Sequence, residues 1–285
     1  MKLLVTGGSG FLGRRTAAHF VSLGWQVLTP AHNHLDITDF SALRDWFGKN
    51  TPDVVIHTAA VSDTMLCQQK PEWSEDVNVT GCVNLAKACK ENGAKLVMCS
   101  SDQVYFGSAV TTPHRENETL SPGNVYGSQK LRAEQNCLAI LPETVCLRLS
   151  WMYARESFPG EHGHFLTTLK AALADNSKLL CYPVHDRRGI TNAEYVVKNL
   201  PAAIKLPGGV YNFGSENDCD TYTTMKSIFE EAGNGPLLRR LQANEEAFSD
   251  NPRNLTMDLT KLNAAGITFP TTKDGLCRAL GFGES

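Results

Sequence analysis

No apolar stretch in the 285-residue chain comes near the roughly 20 consecutive residues that a membrane-spanning helix needs. The longest are short, strand-like pieces such as Leu3–Val5 and Val54–Ile56. The chain reaches Gly7 and Gly8 before any stretch of the kind a secretory leader carries. A strong charge of either sign is also missing. The 27 Lys and Arg face 30 Asp and Glu, the net charge is −3, and no basic block occurs. Neither nucleic acid nor a membrane is therefore expected as a partner. Nine Cys, an odd number, are scattered with no CxxC and no ligand-like spacing, so neither a disulfide framework nor a metal site is expected. Cys99, Cys146 and Cys181 fall in apolar segments, which predicts buried, reduced thiols and a cytoplasmic protein. Internal repeats and low-complexity linkers are absent as well.

What the chain does contain is alternation. Lys2–Thr6 reads as a strand, and Phe11–Leu23 as a helix with Leu12, Ala17, Phe20 and Val21 at helical spacing. Gln26–Pro30, Asp53–Thr58, Lys95–Ser100 and Thr144–Ser150 continue the strands. Between them lie helices over Asp39–Gly48 (capped by Thr38 or Asp39), Glu72–Asn92 (ended by Gly93) and Asn124–Leu141 (stopped by Pro142). Such alternation predicts parallel pairing, and strands apolar on both faces predict helices on both sides. The fold class is α/β, a Rossmann-type doubly wound parallel sheet. After Ser150 the rhythm weakens. Val210–Phe213 reads as a strand, Tyr222–Ala232 and Leu259–Ala265 as helices, with Gly, Pro and Asn frequent between them. Residues 1–150 are expected to form a dinucleotide-binding domain. Residues 151–285 are expected to form mainly a smaller substrate-binding domain over its carboxyl edge, with room for some elements to return to the first.

The first strand runs into Thr6-Gly7-Gly8-Ser9-Gly10-Phe11-Leu12-Gly13. Glycines permit a tight turn and close approach to a pyrophosphate, and the opening helix offers unpaired N–H groups with partial positive charge. That context, a strand before and a helix after, points to a bound dinucleotide. An NAD enzyme carries an acid near the end of the second strand, about 20 residues past the glycines. Here the segment reads Thr29-Pro30-Ala31-His32-Asn33-His34, with no acid to repel a 2′-phosphate. NADP is favoured, with Arg14, Arg15 or His32 as candidate attractions, and NAD stays open.

Tyr126 and Lys130 stand four residues apart, on one face if the segment is helical. A phenol near pKa 10 is a poor catalyst at neutral pH, but a nearby ammonium and an oxidised nicotinamide ring stabilise the phenolate. Ser100-Ser101 ends a strand, where an open parallel sheet places its ligands, and the pair offers a hydroxyl to hydrogen-bond a substrate carbonyl.

Thr6–Gly13, Ser100–Ser101 and Tyr126–Lys130 resemble the extended short-chain dehydrogenase/reductase superfamily. The chain is similar to its dTDP-4-dehydrorhamnose reductase branch over nearly its whole length, through stretches such as Pro52–Ala60, Val77–Gly81, Ser100–Gly107 and Arg148–Tyr153. The resemblance implies a reductase of a 4-keto nucleotide sugar, with NADPH supplying hydride, Tyr126 the proton, Ser101 polarising the carbonyl and Lys130 holding the nicotinamide ribose. It implies Gly7, Ser9, Gly10, Phe11, Leu12, Gly13, His32, Asp36, Ile37, Thr58, Ala59, Ala60, Ser100 and Leu149 as further cofactor contacts. Val61, Asp102 and Trp151 are implied as substrate contacts. A homodimer is left open. An epimerase or dehydratase reading remains as an alternative, as does a non-catalytic regulatory subunit, because the chain also resembles the β subunit of methionine adenosyltransferase.

Asp186-Arg187-Arg188 suits either a substrate pyrophosphate, met by Arg187, or a salt-bridged surface turn. His162 and His164 match no full ligand set, and no metal is expected. Asp258 and Lys261 read as cap and decoration of a helix, and Trp25, Trp46 and Trp73 as packing residues. The chain departs from the family at Met65, Gln68, His164-Phe165 and Gly189–Asn192, and Arg14–Arg15 replaces a glutamate that some members use for a metal-bridged dimer. The catalytic frame thus transfers better than the sugar specificity.

Overall fold

A computed structural model describes residues 1–159, 161 and 163–282. The first half alternates as expected: β1 (Lys2–Thr6), α1 (Phe11–Ser22), β2 (Gln26–Leu28), α2 (Phe40–Asn50) and β3 (Val54–His57). Then come α3 (Thr64–Gln69), α4 (Pro71–Glu75), a π-turn (Asp76–Thr80), α5 (Gly81–Asn92), β4 (Lys95–Ser101), a 3₁₀ turn (Asp102–Tyr105), α6 (Val125–Ile140) and β5 (Val145–Leu149). Local chemistry sets several boundaries. The Asp39 carboxylate accepts from the Ala42 N–H and the Asn124 side chain from the Gly127 N–H, which starts α2 and α6. Gly93, with φ of +66°, ends α5 in the left-handed conformation.

Six parallel strands form the main sheet in the order β2-β1-β3-β4-β5-β10, the last being Gly209–Phe213. The chain reverses direction across the sheet between β1 and β3, so the carboxyl ends of these strands open a crevice there. Alternate residues feed two cores. Leu3, Val5, Ile56, Val97 and Leu147 pack under α1 and α8 (Ala193–Ala203), while Leu4, Val55, Leu96, Met98 and Cys146 pack under α2, α5 and α6.

The second half holds α7 (Phe165–Ala174), α9 (Thr221–Glu231), α10 (Gly235–Arg240), α11 (Thr260–Ala264) and α12 (Thr272–Leu280) besides α8. Short strands pair in parallel twos: β6 (Trp151–Tyr153) with β9 (Ile190–Asn192), β7 (Leu180–Pro183) with β11 (Leu241–Asn244), and β8 (Asp186–Arg188) with β12 (Arg253–Leu255). A third core gathers Tyr153, Phe165, Leu169, Ile228 and Phe229. The strand expected at Val210–Phe213 is the sixth strand of the main sheet, paired with Val145–Leu149, because Val210, Tyr211 and Phe213 add apolar surface to its two faces. Among the described residues, no helix is long and apolar enough to cross a membrane.

Three expectations need correction. The single helix over Glu72–Asn92 is interrupted by the π-turn, whose extra residue swings Asn78 inward to bridge Val61 and Gln129. Trp73 is half exposed on the short α4 and not a packing residue. Cys181 is exposed, since β7 belongs to a two-stranded ribbon, whereas Cys99 and Cys146 are buried with raised thiol pKa.

Behind the crevice lies a buried ion pair. Arg148 on β5 donates to both oxygens of Glu134 on α6, at 2.7 and 3.0 Å, and its third nitrogen donates to the Tyr105 hydroxyl at 2.8 Å. Tyr105 in turn donates to Asn212 on β10. Truncating one member strands an unpaired charge in the interior, so Glu134→Ala should lower the unfolding free energy by about 3–5 kcal/mol in urea denaturation. A loss below about 1 kcal/mol, the size of a surface pair, would contradict this.

His57, at the end of β3, is buried between the Thr6 hydroxyl (2.7 Å) and the Cys82 thiol (3.1 Å). Burial, reinforced by the charge of Lys130, pushes its pKa down to about 3. The unfolded chain protonates it near 6.5, so between these values the unfolded state binds more protons and stability falls with falling pH. Below about pH 6.5, wild type should lose about 1.4 kcal/mol per pH unit more than His57→Asn, compared by urea denaturation. Equal slopes would show that His57 titrates normally in the folded protein.

Candidate active site

The glycine turn follows β1 directly. Gly7 has φ of +69°, and a Cβ there would lie 2.7 Å from the Ala59 nitrogen. At Gly13 a Cβ would lie 2.1 Å from the Gly7 carbonyl oxygen and 2.7 Å from Thr58 Oγ1. Only glycine at both places lets α1 start this close to β3. Gly10 caps α1 with no side-chain hydrogen bond, and no acid stands in the first turn, so the helix opens with N–H groups that no side chain takes among the described residues. Arg14 folds back on the Ser9 carbonyl at 2.7 and 3.1 Å. Arg15 is buried, paired with Glu161 and stacked 4.4 Å from the Phe11 ring centroid.

A cavity of about 760 Å³ opens from this turn across the carboxyl ends of β1, β3, β4 and β5. Ser9, Gly10, Phe11, Leu12, Thr58, Ala60, Ser100, Ser101, Asp102, Tyr126, Lys130, Leu149 and Trp151 all line it. α6 reaches the cavity because Gly127 sits against the Gln103 carbonyl, where a Cβ would come within 2.2 Å. The next residues along that face, Tyr126 and Lys130, are 7% and 2% exposed. The Lys130 ammonium donates to the Cys99 carbonyl at 3.0 Å and lies 5.8 Å from the Tyr126 ring centroid. Burial pushes the Tyr126 phenol above its usual pKa, against the pull of Lys130. Burial works to lower the Lys130 pKa, yet Tyr126, the thiols of Cys82 and Cys99, and Glu134 raise it, so the ammonium stays charged. The phenol therefore reaches the working range only if a further positive charge joins Lys130.

Several other expected residues lie off the cavity wall or are engaged elsewhere. Gly7, Gly13 and Ala59 form the floor of the turn. The side chain of His32 is 84% exposed, 4.0 Å from Asp36. Asp36 accepts from the Thr38 N–H and hydroxyl, and Ile37 is buried against Gly81. Val61 is held through its backbone by Asn78. The Ser100 hydroxyl lines the wall but is engaged by Glu134. Arg187 points away and donates to the Asp218 carbonyl. Strand alternation sends the next residue, Arg188, into the cavity in its place. Sequence reading also missed Arg253 and Glu161, both on the wall. The alternation signal was present in Asp186-Arg187-Arg188, but without a strand assigned there it set no face. Asp258 caps the Thr260 N–H, and Lys261 donates to the Val210 carbonyl.

A second, more apolar cavity of about 690 Å³ adjoins the first, with Trp151, His164, Arg188 and Arg253 shared at the junction. Phe165, Leu169, Leu180 and Tyr182 line its far side. His162 lies outside the described residues. Among the described residues no three His, Cys, Asp or Glu gather into a metal-ligand group.

Comparison with known proteins places these features. The chain is 29% identical to dTDP-4-dehydrorhamnose reductase of Mycobacterium tuberculosis over 82% of its own length and 77% of that protein's. It is 32% identical to methionine adenosyltransferase 2 subunit beta of Xenopus tropicalis, over 93% of this chain and 83% of the other. Its fold matches the crystal structure of dTDP-4-dehydrorhamnose reductase from Bacillus anthracis in complex with NADP, with a TM-score of 0.83 and 22% identity across 99% of both chains. The family model described as RmlD substrate binding domain matches residues 1–281, and the chain belongs to that family.

Proposed function

We propose that the protein is an NADP-dependent reductase of a 4-keto nucleotide sugar. The observation that carries this reading is the Ser101, Tyr126 and Lys130 set on the wall of one cavity that begins at the glycine turn. The turn fits a dinucleotide: Gly7 and Gly13, where a Cβ would strike the backbone of Ala59 or Gly7, let α1 open close against β1 and β3, and the uncapped start of α1 offers its N–H groups to a pyrophosphate. Ser9, Gly10, Phe11 and Leu12 would hold that pyrophosphate, with Thr58, Ala60 and Leu149 along the rest of the cofactor. Bound there, the reduced dinucleotide supplies hydride to a ketone carbon.

The chain's own residues do the remaining work. Lys130 keeps a positive charge beside Tyr126 and favours the phenolate left after the phenol has given its proton to the substrate oxygen. Ser101 orients the carbonyl, and Trp151 offers a ring face at the junction of the two cavities. NADP is preferred to NAD because residues 29–34 hold no carboxylate and Asp36 is turned onto Thr38. Arg15 is held by Glu161, which leaves the Arg14 guanidinium and the exposed His32 ring to meet a 2′-phosphate.

A second reading, a regulatory subunit, is favoured by one observation: the relative of 32% identity is a subunit by name. The complete Ser101, Tyr126 and Lys130 set favours the enzyme. Tyr126→Phe should bind NADPH like wild type by fluorescence titration. Its turnover of dTDP-4-dehydrorhamnose should drop by about a hundred- to ten-thousand-fold. Unchanged turnover would end the proposed role of Tyr126, and a wild type that binds NADPH but reduces no keto sugar would favour the subunit.

A further inference from the structure

Arg188 sits where the two cavities meet, and it is only 9% exposed. Its guanidinium lies 5.1 Å from the centroid of the Trp151 ring and donates to Asp102 Oδ2 at 2.9 Å, while its Nε has no partner among the described residues. A buried guanidinium N–H without an acceptor is costly, and an anionic ligand supplies that acceptor. The other oxygen of Asp102 accepts the Ser101 hydroxyl at 3.2 Å, and the Ser101 oxygen accepts from the Gln103 N–H at 3.2 Å. A hydroxyl has one proton. Given to Asp102, it is not available to a substrate carbonyl.

We propose that Arg188, Asp102 and Ser101 form a relay: an anionic group of the substrate taken up at Arg188 draws the guanidinium off Asp102, Asp102 gains a proton from solvent, and the Ser101 hydroxyl turns to the substrate carbonyl. The proposal rests on the nucleotide-sugar reading, and the anion is the diphosphate of that substrate. Arg253 stands at the same junction, held by both oxygens of Asp186 at 2.9 and 3.1 Å, and the apolar cavity beyond suits a base. The groups facing Asp102 decide its protonation. Burial favours the neutral carboxyl and Asp186 adds to it, while Arg188 is the main pull toward the carboxylate, with Ser101 helping. Arg253 and Tyr126 feel the same charge from β12 and α6. When Arg188 turns to a diphosphate, the balance at Asp102 moves to the protonated form. That form donates to the Ser101 oxygen, the reverse of the resting bond, and frees the serine proton. One proton enters with the substrate and leaves with the product, and Asp102 acts as a positioning residue.

Calorimetric titration with dTDP in buffers of different ionisation enthalpy counts the protons taken up on binding. Wild type should take up about one proton per dTDP in the range where Asp102 is ionised at rest, and Asp102→Asn should bind dTDP with none. Arg188→Met should bind dTDP at least about tenfold more weakly. In turnover of dTDP-4-dehydrorhamnose, Asp102→Ala should lose kcat and Asp102→Asn should recover much of it, because the amide donates to Ser101 as the protonated carboxyl does. A wild type that reduces the keto sugar but binds dTDP without proton uptake overturns the relay and leaves the reductase standing. A wild type that neither binds dTDP nor reduces the keto sugar overturns both.

Discussion

An ammonium group buried without a carboxylate beside it is the constraint around which this site is built. Lys130 is 2% exposed, and its one hydrogen bond among the described residues goes to the Cys99 backbone carbonyl. Desolvation works against such a charge, and it persists because the phenol of Tyr126, two thiols and the more distant Glu134 favour it. The same arrangement keeps Tyr126 poised. Burial alone makes the phenol less acidic, and the ammonium opposes that in a low-dielectric wall where its effect is weakly screened.

The surrounding fold holds this pair in place. Glu134, one turn beyond Lys130 on α6, is locked to Arg148 on β5, and Gln129 on the same helix is bound to Asn78 and Ser74. α6 is thereby tied to the sheet on one side and to the π-turn on the other. The π-turn also clasps the backbone of Val61, just past the end of β3, so α6 and the β3 edge of the cavity share one support. At the far end, His57 stays neutral between Thr6 and Cys82 and joins β1 to β3 beneath the glycine turn.

The glycine turn and the Tyr126–Lys130 spacing are legible in the sequence because each is local: the residues that act together lie within one turn or one helix. The six-stranded sheet is nearly as legible, since its strands carry apolar residues on both faces and its helices keep their period. The second half hides its sheets. β6, β8, β9 and β12 have three residues each, too few for a period, and Asp186 finds Arg253 only across 67 positions. Arg187 is therefore named from sequence where Arg188 faces the cavity, a one-residue difference that reverses the side chain. Asn78 is equally hidden, because only the extra residue of the π-turn brings it round to Val61.

The coupling of the buried ammonium to the phenol is tested most directly by NMR titration of tyrosine labelled at Cζ, in wild type and in Lys130→Met. The Tyr126 resonance should titrate at lower pH in wild type than in the variant, and binding of NADP⁺ should lower the wild-type midpoint further. Equal midpoints in the two proteins would show that Lys130 does not govern the acidity of Tyr126 and would contradict the account.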